Sequence, residues 1–212
     1  MENPFDKNTS EYDKWYDKHR GKYQSEILAL KKLIPEGKKG IEIGVGTGRF
    51  SVPFAIKIGV EPSENMAKVA EERGITVIKG LAEHLPFHYG SFDFVLMVTT
   101  VCFLSDIPKA FKESYRILKD QGKIILGIID KNSPLGKEYE KMKTHNKFYS
   151  DAHFHTTEGI TELLKQAGFV KFDYWQTLEI TEGDTIEDPK HGYGKGSFVV
   201  IQGTKEIIEE VD

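Results

Sequence analysis

The sequence predicts an α/β fold built on an open, mostly parallel sheet, and three observations carry that expectation. Short β-branched apolar runs alternate with amphipathic segments of helical length. Glycines and N-capping residues stand where one pattern gives way to the next. The run at 92–98 is nearly all apolar, as a strand covered on both faces must be. Parallel strands need right-handed crossovers, so helices must cover both faces of such a sheet. Ligands in these sheets sit beyond the carboxyl ends of the strands, so the loops after each strand are where chemistry is sought.

Each element follows from its own residues. Residues 10–33 begin polar and become apolar at Tyr23, Ile27 and Leu30, continuing to Ile34, which predicts one amphipathic helix closed by Pro35 and Gly37. Residues 40–43, 54–60 and 75–78 read as the first three strands. Ser63 is placed to cap a helix whose Met66, Val69 and Ala70 share a face, with Gly74 as its stop. After the strand at 92–98, Asp106 can cap a helix burying Ile107, Ala110, Phe111, Ser114 and Leu118, which Gly122 ends. Residues 123–129 form the next strand. A helix from near Thr157 buries Ile160, Leu163, Leu164 and Ala167 and stops at Gly168. Strands at 169–177 and 197–203 complete a set of seven, with the Gly-, Asp- and Glu-rich stretch 181–196 read as a loop.

Composition narrows the function. The 212-residue chain has a net charge of −4 and a pI near 6.0, which disfavours a sequence-independent grip on nucleic acid. Its first twenty residues lack the apolar core of a signal peptide. The longest nearly uncharged apolar stretch, 94–104, is far short of the ~20 residues that span a bilayer. No membrane partner and a cytoplasmic location are therefore expected. The single cysteine, Cys102, allows neither an internal disulfide nor a cysteine zinc site, and no metal is expected.

The informative loop is Glu42-Ile43-Gly44-Val45-Gly46-Thr47-Gly48-Arg49-Phe50. Glycines at alternate positions permit positive φ and let a ligand press on backbone where a helix begins and free N–H groups favour an anionic group. A dinucleotide fingerprint would put its third glycine where Arg49 stands, and the Gly-Lys-Ser/Thr of a P-loop is missing, so both phosphate readings weaken. Glu61 ends the second strand 17 residues after Gly44, the place of an acid that holds ribose hydroxyls.

Residues 41–50 resemble the first motif of the class I S-adenosylmethionine (SAM)-dependent methyltransferases. Gly59-Val60-Glu61-Pro62-Ser63 resembles the second motif, the run from Lys79 to Phe87 the adenine-side loop, and Ser91-Phe92-Asp93-Phe94-Val95 the fourth strand. Arg116-Ile117-Leu118-Lys119 with Gly122-Lys123 resembles the entry to the fifth. The resemblance implies a Rossmann-like three-layer sandwich: a mostly parallel seven-stranded sheet, its last strand antiparallel, helices on both faces and an N-terminal helical lid. It implies one domain with a lid at 1–36, a SAM-binding core at 37–130 and a substrate-side part at 131–212. It implies SAM as cofactor, S-adenosylhomocysteine as product and a small-molecule methyl acceptor. Gly44, Gly46 and Gly48 would line the methionine and ribose, with Glu42 ordering the loop. Glu61, followed by Pro62, would bind the ribose hydroxyls, Ala82 would present its N–H to adenine, and Glu83 would flank it. Leu81 stands where the family usually has an aspartate.

The acceptor side is less determined. Thr99 and Thr100 are placed to shape a pocket where many relatives carry a pair of histidines, and the Asn-Pro-Pro-Tyr motif of adenine and glutamine methylation is missing. Tyr12, Trp15, Tyr16 and Tyr23 either fold over the site or pack into the core, with Tyr16 and Tyr23 the cofactor-side candidates. His19, His145, His153 and His155 are candidate bases among which the sequence does not choose. A nicotinamide oxidoreductase and a non-catalytic SAM-binding protein are the alternative functions.

Overall fold

A computed structural model describes residues 4–143, 146–180 and 183–206. Strands β1 (Gly40–Ile43), β2 (Ile58–Glu61), β3 (Thr76–Lys79), β4 (Phe92–Val98), β5 (Leu118–Ile129), β6 (Phe169–Thr177), β7 (Lys190–His191) and β8 (Phe198–Lys205) form one sheet in the order β3-β2-β1-β4-β5-β8-β6-β7. The pairs from β3 through β5 are parallel, and β8 runs antiparallel between β5 and β6. Strand order reverses between β1 and β4, so their carboxyl ends part there and leave a crevice. The helices are α1 (Pro4–Lys18), α2 (Arg20–Lys31), α3 (Glu64–Glu72), α4 (Ile107–Ile117), α5 (Pro134–Met142) and α6 (Thr157–Gln166).

Alternation along the strands builds the two cores. Val95 and Met97 of β4 with Ile124 and Leu126 of β5 pack with Ile107 and Phe111 of α4 and Ile160 and Leu164 of α6. Phe94, Leu96 and Ile125 point the other way, to Ala29 and Leu30 of α2 and to Leu135 of α5. Each such side chain contributes about 1.5–3 kcal/mol by leaving water. The capping expectations hold: Ser63 Oγ accepts from Met66 N–H at 3.3 Å and Asp106 Oδ1 from Lys109 N–H at 3.0 Å.

Four expectations change. The N-terminal segment is two helices, because His19 leaves helical geometry at φ −120°, ψ 53°. The 54–60 run is no single strand: Pro53 opens a 3-10 turn at Val52–Phe54, Ala55 turns left-handed at φ 53°, and β2 begins only at Ile58. Helix α4 stops at Ile117, not at Gly122. The glycine instead lies in an irregularity of β5, where register slips between Phe92 opposite Leu118 and Phe94 opposite Lys123. The sheet has eight strands, because Lys190 and His191, within the expected loop, pair with Gln176 and Trp175 of β6. A strand this short blunts the sheet edge without offering a long template.

Candidate functional site

The loop after β1 is built by its glycines. Gly44, Gly46 and Gly48 all have positive φ, at 71°, 53° and 82°. A β-carbon on Gly44 would lie 2.4 Å from Thr100 Cγ2, so the two loops touch only because that position is bare. A β-carbon on Gly46 would meet nothing closer than Met66 Sδ at 3.6 Å and Tyr12 Cε1 at 4.0 Å, so its bare face looks into open space. That space is a cavity of about 350 Å³ beyond the carboxyl ends of β1, β2 and β4.

Glu61 crosses the crevice from the end of β2. Its Oε2 accepts from Gly46 N–H at 2.8 Å and its Oε1 from Ser63 N–H at 2.9 Å, so one side chain sets both the glycine loop and the start of α3. Burial raises its pKa against the pull of those two amides. Beneath it Glu42 is 1% exposed and accepts from Ser51 Oγ at 2.5 Å; burial, helped by the nearby Glu61 charge, pushes it up to about 8. On the β3 side Glu83 Oε1 accepts from the amide and hydroxyl of Ser105, at 3.0 and 2.9 Å, and from Asp106 N–H at 3.2 Å. Burial opposes ionisation there, but these bonds together with its own amide overcome it and the pKa falls. Thr99, held at φ 49° and bonded through its N–H to Gly127 O at 2.8 Å, completes this wall.

Helix α1 closes the top. Asp6 Oδ1 accepts from Ser63 Oγ at 2.5 Å and from Asn65 N–H at 3.3 Å. Asp13 accepts from Thr47 Oγ1 at 2.7 Å, from Arg49 Nη2 at 2.7 Å and from Arg73 Nη1 and Nη2 at 2.8 Å, and Asp17 takes Arg49 Nη1 at 2.9 Å. Burial works against the Asp13 charge, but the two guanidinium groups and the Thr47 hydroxyl more than offset it and hold its carboxyl far below the usual range. So pinned, α1 turns Phe5 and Tyr12 into the cavity, where they meet Phe103 and Phe148, with Tyr149 stacked on Phe103.

The chain is similar to known proteins in sequence and in fold. Residues 41–126 match the methyltransferase domain family. The chain is 51% identical over 205 residues to an uncharacterised protein of Methanocaldococcus jannaschii, covering 96% of this chain and 99% of that one. A Thermotoga maritima crystal structure described as a SAM-dependent methyltransferase, possible histamine N-methyltransferase, superposes with a TM-score of 0.94 at 53% identity, covering 97% of this chain and all of that one. The chain belongs to the class I SAM-dependent methyltransferases. In fold alone it also matches a Haemonchus contortus phosphoethanolamine N-methyltransferase in complex with SAM, at a TM-score of 0.61 and 20% identity over 87% of this chain and 53% of that one.

The methyltransferase cavity brings together most of the residues singled out in the sequence: Gly44, Gly46, Glu61, Pro62, Leu81, Ala82, Glu83 and Thr99. Four do not reach its wall. Glu42 lies on the α2 side of β1 with Ser51, because alternation along the strand turns Ile41 and Ile43 the other way. Gly48 faces Ile75, whose Cδ1 would be 2.4 Å from an added β-carbon. Tyr16 is buried behind Tyr12, the two hydroxyls 2.8 Å apart, and Tyr23 donates to Arg49 O at 2.5 Å. The aromatic set therefore divides: Tyr12 reaches the cavity, while Tyr16 packs beneath it and Tyr23 lies against Phe50. Phe5, Phe148, Tyr149 and Asp151 also line the cavity and were not anticipated. For the last three the signal was an aromatic pair beside an acid in a charged span.

The candidate bases fare differently. His145 lies outside the described residues. His19 Nδ1 lies 2.9 Å from Trp15 O and its ring stacks on Trp15. His153 donates its backbone N–H to Cys102 O at 2.7 Å, and His155 lines a separate small cavity with Cys102, its pKa lowered by burial. Burial pushes the Cys102 thiol up to about 12, which disfavours the thiolate. Among the described residues no group of His, Cys, Asp and Glu could hold a metal, and no helix is long and apolar enough to cross a membrane.

Proposed function

We propose that this methyltransferase moves a methyl group to a small-molecule acceptor by in-line displacement, with SAM held on the glycine-loop side of the cavity. The observation that carries the reading is that the bare face of Gly46 and the Glu61 carboxylate open onto one cavity whose opposite wall is aromatic. Each Glu61 oxygen spends one acceptor site on a backbone N–H, which leaves capacity for a pair of ribose hydroxyls. Ala82 and Leu81, with Glu83 holding their loop to Ser105, suit a flat base, and Pro62 and Thr99 close its edges. Glu42, Gly48, Tyr16 and Tyr23 act from behind, by ordering the loop and the lid.

When bound, SAM supplies a methyl carbon on a sulfonium, whose C–S bond electrons leave with sulfur as an acceptor lone pair forms the new bond. The protein's task is alignment: Gly44 to Gly46 hold one side, and α1, tied through Asp6 and Asp13, presses Phe5 and Tyr12 over the other and excludes water. Alignment of this kind is worth about 7–11 kcal/mol in favourable systems. The reading assigns residues 1–36 to the lid, 37–130 to cofactor binding and 131–212 to the acceptor side. Calorimetry with S-adenosylhomocysteine tests it. Wild type is expected to bind saturably, Glu61→Ala at least tenfold more weakly, since a charge-assisted hydrogen bond is worth about 1.5–3 kcal/mol, and Gly46→Val not at all. No saturable binding, or equal binding by all three, refutes it.

A further inference from the structure

The far half of the cavity has a chemistry of its own. Phe5, Tyr12, Phe103, Phe148 and Tyr149 form its walls, linked by ring contacts of 5.1 to 6.1 Å. The carboxylates on the cavity lining are Glu61, Glu83 and Asp151, and no Lys, Arg or His lies among the described residues lining it. Glu61 and Glu83 are engaged by amides and hydroxyls of the chain itself. Asp151 is exposed and accepts no hydrogen bond from a described residue. Lys147, 5.6 Å from the Phe148 ring, is paired with Glu11.

We propose that the acceptor is an amine with an apolar or aromatic body, and that Asp151 is the residue that selects it. This rests on the reading of the cavity as a methyl-transfer site. Aromatic faces attract ammonium groups and pack flat bodies, and a carboxylate accepts N–H from the neutral amine as well as from the ammonium. A carboxylate or phosphate acceptor would face three acidic side chains and no cation on the described lining. Asp151, at the solvent side, holds the amine while its first proton passes to water. The freed nitrogen lone pair then forms the N–C bond, and the methylated product sheds a second N–H proton to solvent.

The test uses three probes of one shape: phenethylamine, 2-phenylethanol and 3-phenylpropanoate, titrated by calorimetry into the chain loaded with S-adenosylhomocysteine. Phenethylamine is expected to bind at least tenfold tighter than either other probe. Asp151→Asn is expected to remove that preference and Asp151→Lys to turn it toward the acid, both binding S-adenosylhomocysteine as wild type does. Equal or tighter binding of the alcohol or acid by wild type, no measurable binding of the amine, or a preference unchanged in both variants overturns the proposal. Failure of S-adenosylhomocysteine itself to bind overturns the methyl-transfer reading instead. The same titration of the unloaded chain then still reads the amine preference.

Discussion

Glu26 should make this protein less stable as pH rises through neutrality. It sits on α2, is 5% exposed, and accepts no hydrogen bond from any described residue. Burial pushes its carboxyl from the ordinary 4.5 up to about 8, with Lys22 the only opposing charge. A carboxyl raised in the folded state keeps its proton after the unfolded chain has lost it, so the folded form binds more protons between about pH 4.5 and 8, and stability falls across that window. At pH 7 the cost is about 3 kcal/mol, and at pH 5 it is under about 1. Glu26→Gln keeps the shape and removes the titration. Its stability relative to wild type should therefore improve by about 2–3 kcal/mol between pH 5 and pH 7, whatever its offset at pH 5. Urea unfolding followed by circular dichroism at pH 5, 6 and 7 measures this directly. Glu42, also raised to about 8, titrates in both proteins and cancels from the difference. A gap between the two proteins that stays constant with pH, or shrinks as pH rises, would refute the reasoning.

Asp13→Ala leaves Arg49 and Arg73, with side chains 17% and 27% exposed, without their shared carboxylate, and should cost about 3 kcal/mol. For a chain of this size that lowers Tm by roughly 6–12 °C in scanning calorimetry, and a change under about 2 °C would mean the lid contacts carry no net energy. Gly44→Ala combines strain at φ 71° with a 2.4 Å collision on Thr100, and should cost about 2–4 kcal/mol. Thr100→Ala in the same chain should recover part of that loss, and denaturant titration of the two variants separates strain from collision. Gly74→Ala, at φ 80° with nothing within 4 Å, pays strain alone and should cost only about 1–2 kcal/mol.

How much was legible in the sequence follows from how local the signal was. The glycine loop, Glu61 and the caps at Ser63 and Asp106 were readable because their signals span a few residues and depend on backbone requirements that only certain side chains meet. The helix break at His19 was not, because the apolar positions on either side of it still fit one helix and Gly21, two residues on, is taken into the first turn of α2. The β5 irregularity hid behind Gly122, a residue that ends helices and also fits where Lys119 O comes within 2.7 Å of its missing β-carbon. Tyr12 could not be told from Tyr16 as the cavity residue, since both lie on the inner side of one helix and only the helix's rotation decides. Phe148, Tyr149 and Asp151 reach the site from a span far from the glycine loop in sequence, and no local pattern marks so distant an approach.

Helix α1 shows why dense charge was a poor guide to a solvated surface. Its acids at 6, 13 and 17 hold Ser63, Thr47, Arg49 and Arg73, while its rings at 5, 12 and 16 turn inward. Both sets repeat at sevens and fours, so they occupy neighbouring stripes of one helix, one stripe binding the rim and the other roofing the cavity. Asp13 takes its partners from the glycine loop and from Arg73 just beyond α3, the two pieces that Glu61 also joins from below through Gly46 and Ser63. The loop is thus clamped from two sides by carboxylates of opposite electrostatic circumstance. Asp13 is neutralised by two guanidinium groups and keeps its charge down to low pH, whereas Glu61 is raised by burial and relies on amides alone. By the linkage that applies to Glu26, the buried Glu61 carboxyl binds its proton more readily in the folded chain than in water, so its burial costs stability as pH rises, whereas the Asp13 contacts gain from the charge that Asp13 keeps.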